Sequence, residues 1–282
     1  MEDKMLERIA RQLESVEARY EELSVQITLP EVINDAPRFQ KLMRERPYKR
    51  VKGLSERIRR YEQAQGVQFS ALQKRAIQSA VEEGVLVVTG GPGTGKTTII
   101  RCIISLLRDE NDILLCAPTG RAAKRMTELT GREAYTIHRL LGAAWAAEGD
   151  ELTFRKNESD PLRCGAVILD ECSMVDITLM RALLAALPEG CRLILVGDAD
   201  QLPSVGPGNV IGDLIASKVF PTVQLKEIFR QSMESLIVMN AHKIVEGEMP
   251  ELSVRSNDFF FMPREDARSV SETVQSLVVT RL

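Results

Sequence analysis

Two kinds of apolar pattern alternate along most of this chain. Short unbroken runs, Val85 to Val88, Ile113 to Ala117, Ala166 to Leu169 and Arg192 to Val196, have the length of strands buried on both faces, and Thr222 to Leu225 predicts one more. Between them the apolar residues recur at helical spacing, as in Ile99, Ile100, Ile103, Ile104 and Leu107, and again over Ile177 to Leu187. Strands and helices in alternation predict an α/β fold of three layers, with a central, mostly parallel sheet between helices. Further on, Leu236 to Val245 and Ala267 to Leu282 read as helices and Asp258 to Met262 as a strand.

Upstream, Ile9, Leu13, Val16, Tyr20 and Leu23 form a helical stripe that must pack on something: the main domain, a second copy or a preceding region. Pro30, Pro37 and Pro47 break the pattern, and Gly53 and Gly66 punctuate the lead-in to the main domain. The expected organisation is a helical N-terminal region over 1–65 and one main domain over 66–282, with a loop or small hairpin inserted at 143–164. In the lead-in, Ser70 is the expected N-cap of a helix that buries Leu72, Ala76, Ile77 and Ala80 and ends at Gly84. Gln73 is then expected on the face turned away from Leu72.

Composition adds limits. The 282 residues, 44% hydrophobic, suit an ordinary globular protein. Ten Lys or Arg against Glu45 and Glu56 leave segment 38–60 at +8, so within a total of −3 the rest carries −11. That asymmetry fits a nucleic-acid-facing patch or, equally, a solvated helix surface. The five cysteines are scattered, with no C-x-x-C pair, and read as reduced core residues of a cytoplasmic protein. No apolar run approaches the roughly 18 residues of a membrane helix, so no membrane partner is expected.

The chemistry begins after the first strand. Gly90-Gly91-Pro92-Gly93-Thr94-Gly95-Lys96-Thr97 is G-x-x-x-x-G-K-T in its strand, loop and helix context. A glycine-rich turn lets successive N–H groups of Gly91, Pro92-flanked Gly93, Thr94, Gly95 and the helix start at Lys96, Thr97 and Thr98 face phosphate oxygens, and the helix end favours an anion. Lys96 is placed for the β- and γ-phosphates of ATP, and the Thr97 hydroxyl for Mg²⁺. About 75 residues beyond the loop, Asp170-Glu171 closes a buried strand, where an acidic pair is costly without a metal or partners. Asp170 is the candidate metal carboxylate and Glu171 the candidate base for the attacking water.

Other strand ends are polar as well, and ligands in parallel α/β sheets gather beyond the carboxyl ends of strands. Thr119, Arg121 and Lys124 follow the second run and are candidates for backbone phosphates of a single strand. Gln201 follows the Arg192 to Val196 run and is placed to sense the γ-phosphate or the catalytic water. Arg230 is a candidate clamp on the transferring phosphate, a task that suits a guanidinium. Gln73 has the acceptor and donors to pair with adenine N6 and N7, or is simply a surface amide. Trp145 is either a base-stacking residue or part of the core.

Taken together these stretches resemble the first motor domain of a RecD-like helicase, in the superfamily 1 branch that moves 5′ to 3′ along single-stranded DNA. The carriers are the glycine loop, Ala117-Pro118-Thr119-Gly120-Arg121-Ala122, Thr136-Ile137-His138-Arg139-Leu140-Leu141, Asp170-Glu171-Cys172-Ser173-Met174-Val175-Asp176, the stretch Gly197 to Gly208, and Phe229-Arg230-Gln231. The resemblance implies a P-loop, RecA-like ATPase. It puts Gln73 at adenine, Lys96 and Thr97 at phosphate and metal, and Asp170 at the metal. It makes Glu171 the base, Gln201 the coupling residue and Arg230 a γ-phosphate arginine, with Thr119, Arg121 and His138 near DNA.

Such helicases have a second RecA-like domain that completes the ATP site, and no His-Lys-Ser-Gln-Gly segment of that domain follows here. The expectation is therefore a fragment with ATP, Mg²⁺ and single-stranded DNA as partners and a second RecA-like domain supplied elsewhere. Oligomeric state is left open. An ATP-gated binding module with little hydrolysis is the alternative. A P-loop kinase of a small molecule fits less well, because Asp170-Glu171 and the Gln201 loop suit water activation.

Overall fold

The computed structural model describes residues 53–107, 113–145, 152–227, 234–254 and 258–281. The stripe from Ile9 to Leu23, most of the basic segment and Arg230 lie outside the described residues. Two compact units divide between Glu227 and Ile228.

Among its described residues the first unit begins with α1 (Leu54–Gln65) and α2 (Ala71–Glu82) and continues through β1 (Val85–Gly90), α3 (Lys96–Leu106), β2 (Ile113–Ala117) and α4 (Gly120–Thr130). Then come β3 (Ala134–Thr136), α5 (Ile137–Leu141), β4 (Ala143–Trp145) and β5 (Leu152–Phe154). The unit closes with β6 (Ala166–Leu169), a 3₁₀ turn at Cys172–Met174, α6 (Ile177–Ala186), β7 (Arg192–Gly197), α7 (Val210–Ser217) and β8 (Thr222–Leu225).

Six strands form one sheet in the order β3-β2-β6-β7-β1-β8, every neighbouring pair parallel. β4 and β5 make a separate antiparallel hairpin, the insertion expected within 143–164. The five strand expectations in this unit hold to within a residue or two, because a buried run leaves its polar backbone only a ladder for hydrogen bonding; β8, at the edge of the sheet, is the less buried exception.

Period two along the strands sorts their side chains into two cores. Leu86, Val88, Leu115, Ile168, Ile194 and Val196 pack with α1, α2 and α3 on one face. Val85, Val87, Cys116, Val167, Leu169, Leu193 and Leu195 pack with α5, α6 and α7 on the other. This is the three-layer architecture predicted, and a sheet sandwiched in this way can be apolar on both sides.

Local signals set the helix ends. Gly53 and Gly66 flank α1 in the left-handed region, with φ of 72° and 63°. Ser70 caps α2 through a capping box with Gln73. The short α5 was not anticipated; Thr136 caps it through a bond from Arg139 N.

The second unit contributes α8 (Leu236–Val245) and α9 (Ala267–Arg281). The expected strand at Asp258 to Met262 does not form. A strand needs a neighbour for its ladder, and the described part of this unit offers only helices, so Phe260, Phe261 and Met262 stay exposed.

Ile194 sits at the middle of β7, 1% exposed between both neighbouring strands. Ile194→Ala is expected to lower unfolding stability by about 2–5 kcal/mol in urea titrations, the range for a deleted core side chain. A loss under about 1 kcal/mol would contradict the packing described.

Candidate nucleotide site

Because β6, β7 and β1 are adjacent and parallel, the segments leaving their carboxyl ends meet along one edge. The glycine loop leaves β1, Asp170-Glu171 leaves β6, and Asp198 to Gln201 leaves β7.

The loop is held from two sides. Thr94, 1% exposed, donates from its hydroxyl to Gly91 O at 2.8 Å, and its own carbonyl accepts from Gln73 Nε2 at 3.0 Å. Gly95 takes φ 81° at the junction with α3, a conformation in which a Cβ would be strained. Lys96 turns its ammonium back onto the carbonyls of Gly90 and Gly91, the latter at 3.0 Å. Burial lowers its pKa first of all, while the carboxylates of Asp198, Glu171 and Asp170 pull it up. All three acids therefore lie within electrostatic reach of one ammonium.

Asp170 is itself mostly buried, and desolvation pushes its carboxyl up to about 6, against the N–H of Glu171, which donates to Oδ1 at 2.9 Å. Glu171 then bends the chain with φ 54°, one of two non-glycine residues in the left-handed region among the described residues. Strain of this kind, on the order of 1–2 kcal/mol, persists where surrounding structure fixes it and marks candidate functional positions. The 3₁₀ turn that follows brings Ser173, whose hydroxyl meets Gln201 Oε1 at 3.4 Å. Gly197 permits this approach, because a Cβ there would lie 3.2 Å from the amides of Cys172 and Ser173.

Thr97 and Thr98 stand half-buried at the start of α3. Thr119 and Arg121 lie two strands from β7, beyond β2; the Thr119 hydroxyl caps α4 by accepting from Ala122 N, and Arg121 is exposed. His138 lies beyond the edge strand β3, with its ring 6.0 Å from that of Phe154 on the hairpin. Trp145 lies on β4.

Gln73 corrects an expectation. It is 2% exposed, not on a surface face, because its side chain both accepts from Ser70 N at 2.9 Å and reaches Thr94 O. Leu72 is correspondingly only half-buried. Residues that pattern reading passed over are Thr89, whose hydroxyl accepts from Ala199 N at 3.1 Å, and Asp198, whose Oδ1 accepts from Asp200 N at 3.1 Å. Both are buried polar residues closing an apolar run, the one signal that could have found them. Arg125, on α4, also acts electrostatically on Lys96 and Asp170.

The sheet and its glycine loop define a P-loop fold of RecA-like build. A family model described as an AAA domain, AAA_19, matches residues 73–207. The chain is 39% identical over 211 residues to the ATP-dependent RecD2 DNA helicase of Deinococcus radiodurans, covering 74% of this chain and 28% of that protein. It is 42% identical over 167 residues to the RecBCD enzyme subunit RecD of Mycobacterium tuberculosis, covering 51% and 28%. Among solved structures, the Pif1 helicase from Candida albicans superposes with a TM-score of 0.51 at 22% identity, over 77% of this chain and 55% of that one. Over the matched residues the chain is thus similar to the RecD-like helicases, and it spans less than a third of the length of these two relatives.

The raised carboxyl of Asp170 has a consequence for stability. A folded pKa near 6 against an ordinary 3.8 means that Asp170 weakens the metal-free fold as pH rises from 3.8 through 6. Metal-free Asp170→Asn is therefore expected to be more stable than the parent at pH 8, by on the order of 1–3 kcal/mol. The gain should shrink toward zero by pH 4. A difference in urea midpoint that does not change with pH would refute this.

Proposed function

We propose that this chain is the ATP-binding and ATP-hydrolysing part of a DNA helicase motor that acts on single-stranded DNA together with a second RecA-like domain. The observation that carries the proposal is the convergence of Lys96 with Asp170, Glu171 and Asp198 at the adjoining ends of β1, β6 and β7.

In this reading the phosphates of ATP enter the curl of Gly91, Gly93, Thr94 and Gly95. Lys96 leaves the carbonyls of Gly90 and Gly91 for the phosphate oxygens, a better partner for a partly desolvated ammonium. Mg²⁺ suits the donors present. It binds through one or two protein oxygens plus phosphates and water, so the Thr97 hydroxyl and the Asp170 carboxylate suffice, and no cluster of three or more acidic, His or Cys ligands is needed. Among the described residues there is none. Bound there, the ion would offset charge on the phosphates.

Glu171 takes the proton of the attacking water, its carboxylate set beside Asp170 by the left-handed turn. Gln201, tied to Ser173, reports the state of the γ-phosphate to the loop after β7. Gln73 serves the adenine end, and Arg230 closes on the γ-phosphate. Thr119, Arg121 and His138 take the DNA strand along the same edge of the sheet.

The second unit supports a further domain. On α9, Val270, Val274, Leu277 and Val278 form a stripe at helical spacing, 39–54% exposed. An apolar stripe of this kind normally packs on a core. The RecD2 relative has far more chain than the matched part.

In the full-length protein, Glu171→Gln should bind ATP as well as the parent and lose DNA-stimulated hydrolysis by about 100-fold or more, the usual contribution of a general base. Lys96→Ala should lose nucleotide binding itself. Equal turnover in Glu171→Gln would remove Glu171 from the mechanism. Arg121→Ala should weaken oligo-dT binding and flatten its salt dependence by about one counterion; an unchanged slope would place the DNA elsewhere.

A further inference from the structure

At the end of β6 and β7 remote from the nucleotide loop, two cysteines face each other. The Sγ atoms of Cys164 and Cys191 lie 3.7 Å apart. The register brings the two segments together, with Cys191 falling opposite Gly165 and Cys164 one residue further back. Ala166 pairs with Arg192, and Arg192 N donates to Gly165 O at 2.9 Å, so the residues just before these strands run side by side. Both side chains pack against the same core face, so neither must cross the sheet to reach the other. A bond would require the sulfurs to close from 3.7 Å to about 2.05 Å.

The two thiols differ in access. Cys164 is partly exposed, while Cys191 is 1% exposed. Cys102, Cys116 and Cys172 are fully buried. Contact with the Cys164 sulfur, followed by burial, pushes the Cys191 thiol far up.

We propose that Cys164 and Cys191 are an oxidisable dithiol, a site at which a peroxide installs a reversible disulfide between the start of β6 and the start of β7. Cys164 reacts first, because a peroxide can reach it. Its sulfur gives two electrons to the O–O bond, forming a sulfenic acid and releasing one water. The sulfur of Cys191 then attacks that of Cys164. The sulfenic hydroxyl leaves with the Cys191 proton as a second water, and the S–S bond closes. A thiol reductant reverses the result.

The closed loop holds β6, Asp170, Glu171 and α6, so the bond ties together the two strands whose far ends carry the candidate metal carboxylate and Gln201. It lies at the opposite end of those strands from the glycine loop, and nucleotide binding should be untouched. The effect is on the unfolded state, whose freedom a cross-link reduces.

The test treats the full-length protein with hydrogen peroxide, blocks remaining thiols by alkylation, and maps peptides without reduction. The expected result is one linked pair, Cys164 with Cys191, lost on adding dithiothreitol and absent from Cys164→Ser and Cys191→Ser. The oxidised parent should melt roughly 5–10 °C higher than the reduced parent, with its affinity for ATP unchanged within two-fold. The oxidised and reduced parent can be compared even where a serine variant fails to fold. Sulfinic Cys164 without a link, a link between Cys116 and Cys172, or a Cys164–Cys191 link with no change in melting would each overturn the proposal.

Discussion

The parallel pairing of β6, β7 and β1 is the constraint on which the rest of this molecule depends. Parallel strands bring their carboxyl ends to one edge, and no other arrangement of these segments would set Asp170, Asp198 and Lys96 within electrostatic reach of one another. The pairing is stabilised by apolar side chains on both faces, so the site owes its geometry to residues that never touch it.

That edge gathers charge where water is scarce. Burial lowers the pKa of Lys96 and raises that of Asp170, each away from its charged form, and their mutual attraction works against both shifts. The phosphates and divalent cation proposed for this site would relieve both groups at once. Meanwhile the loop is braced by Thr94 and Gln73, and the absence of a side chain at Gly197 leaves room for the amides of Cys172 and Ser173 that follow Glu171.

The bracing also gives Gln73 two tasks. Its oxygen completes the cap of α2 and its nitrogen holds Thr94, so a residue proposed for adenine already couples the helix before β1 to the loop after it. Ser173 and Gln201 form a similar join between the segments after β6 and β7. Both joins link a candidate ligand contact to a neighbouring element, the kind of connection by which a bound phosphate could move a loop.

Strands and the glycine loop were legible in the sequence because each rests on local rules: an apolar run with no polar relief must pair its backbone in a sheet, and G-x-x-x-x-G-K-T needs its glycines wherever it occurs. The motifs likewise pointed to the RecD-like relatives. Strand order was not legible, since nothing in the run at β7 says that it lies between β6 and β1. Nor was the burial of Gln73, because helical periodicity counts apolar residues and this amide is buried for its hydrogen bonds. The exposed run at Asp258 to Met262 shows the converse: strand-like composition forms no strand without a neighbour to pair with. Sequence alone determined which chemical groups this protein carries and on what kind of element. Tertiary structure decided which of them meet, because proximity depends on pairing across more than a hundred residues of chain.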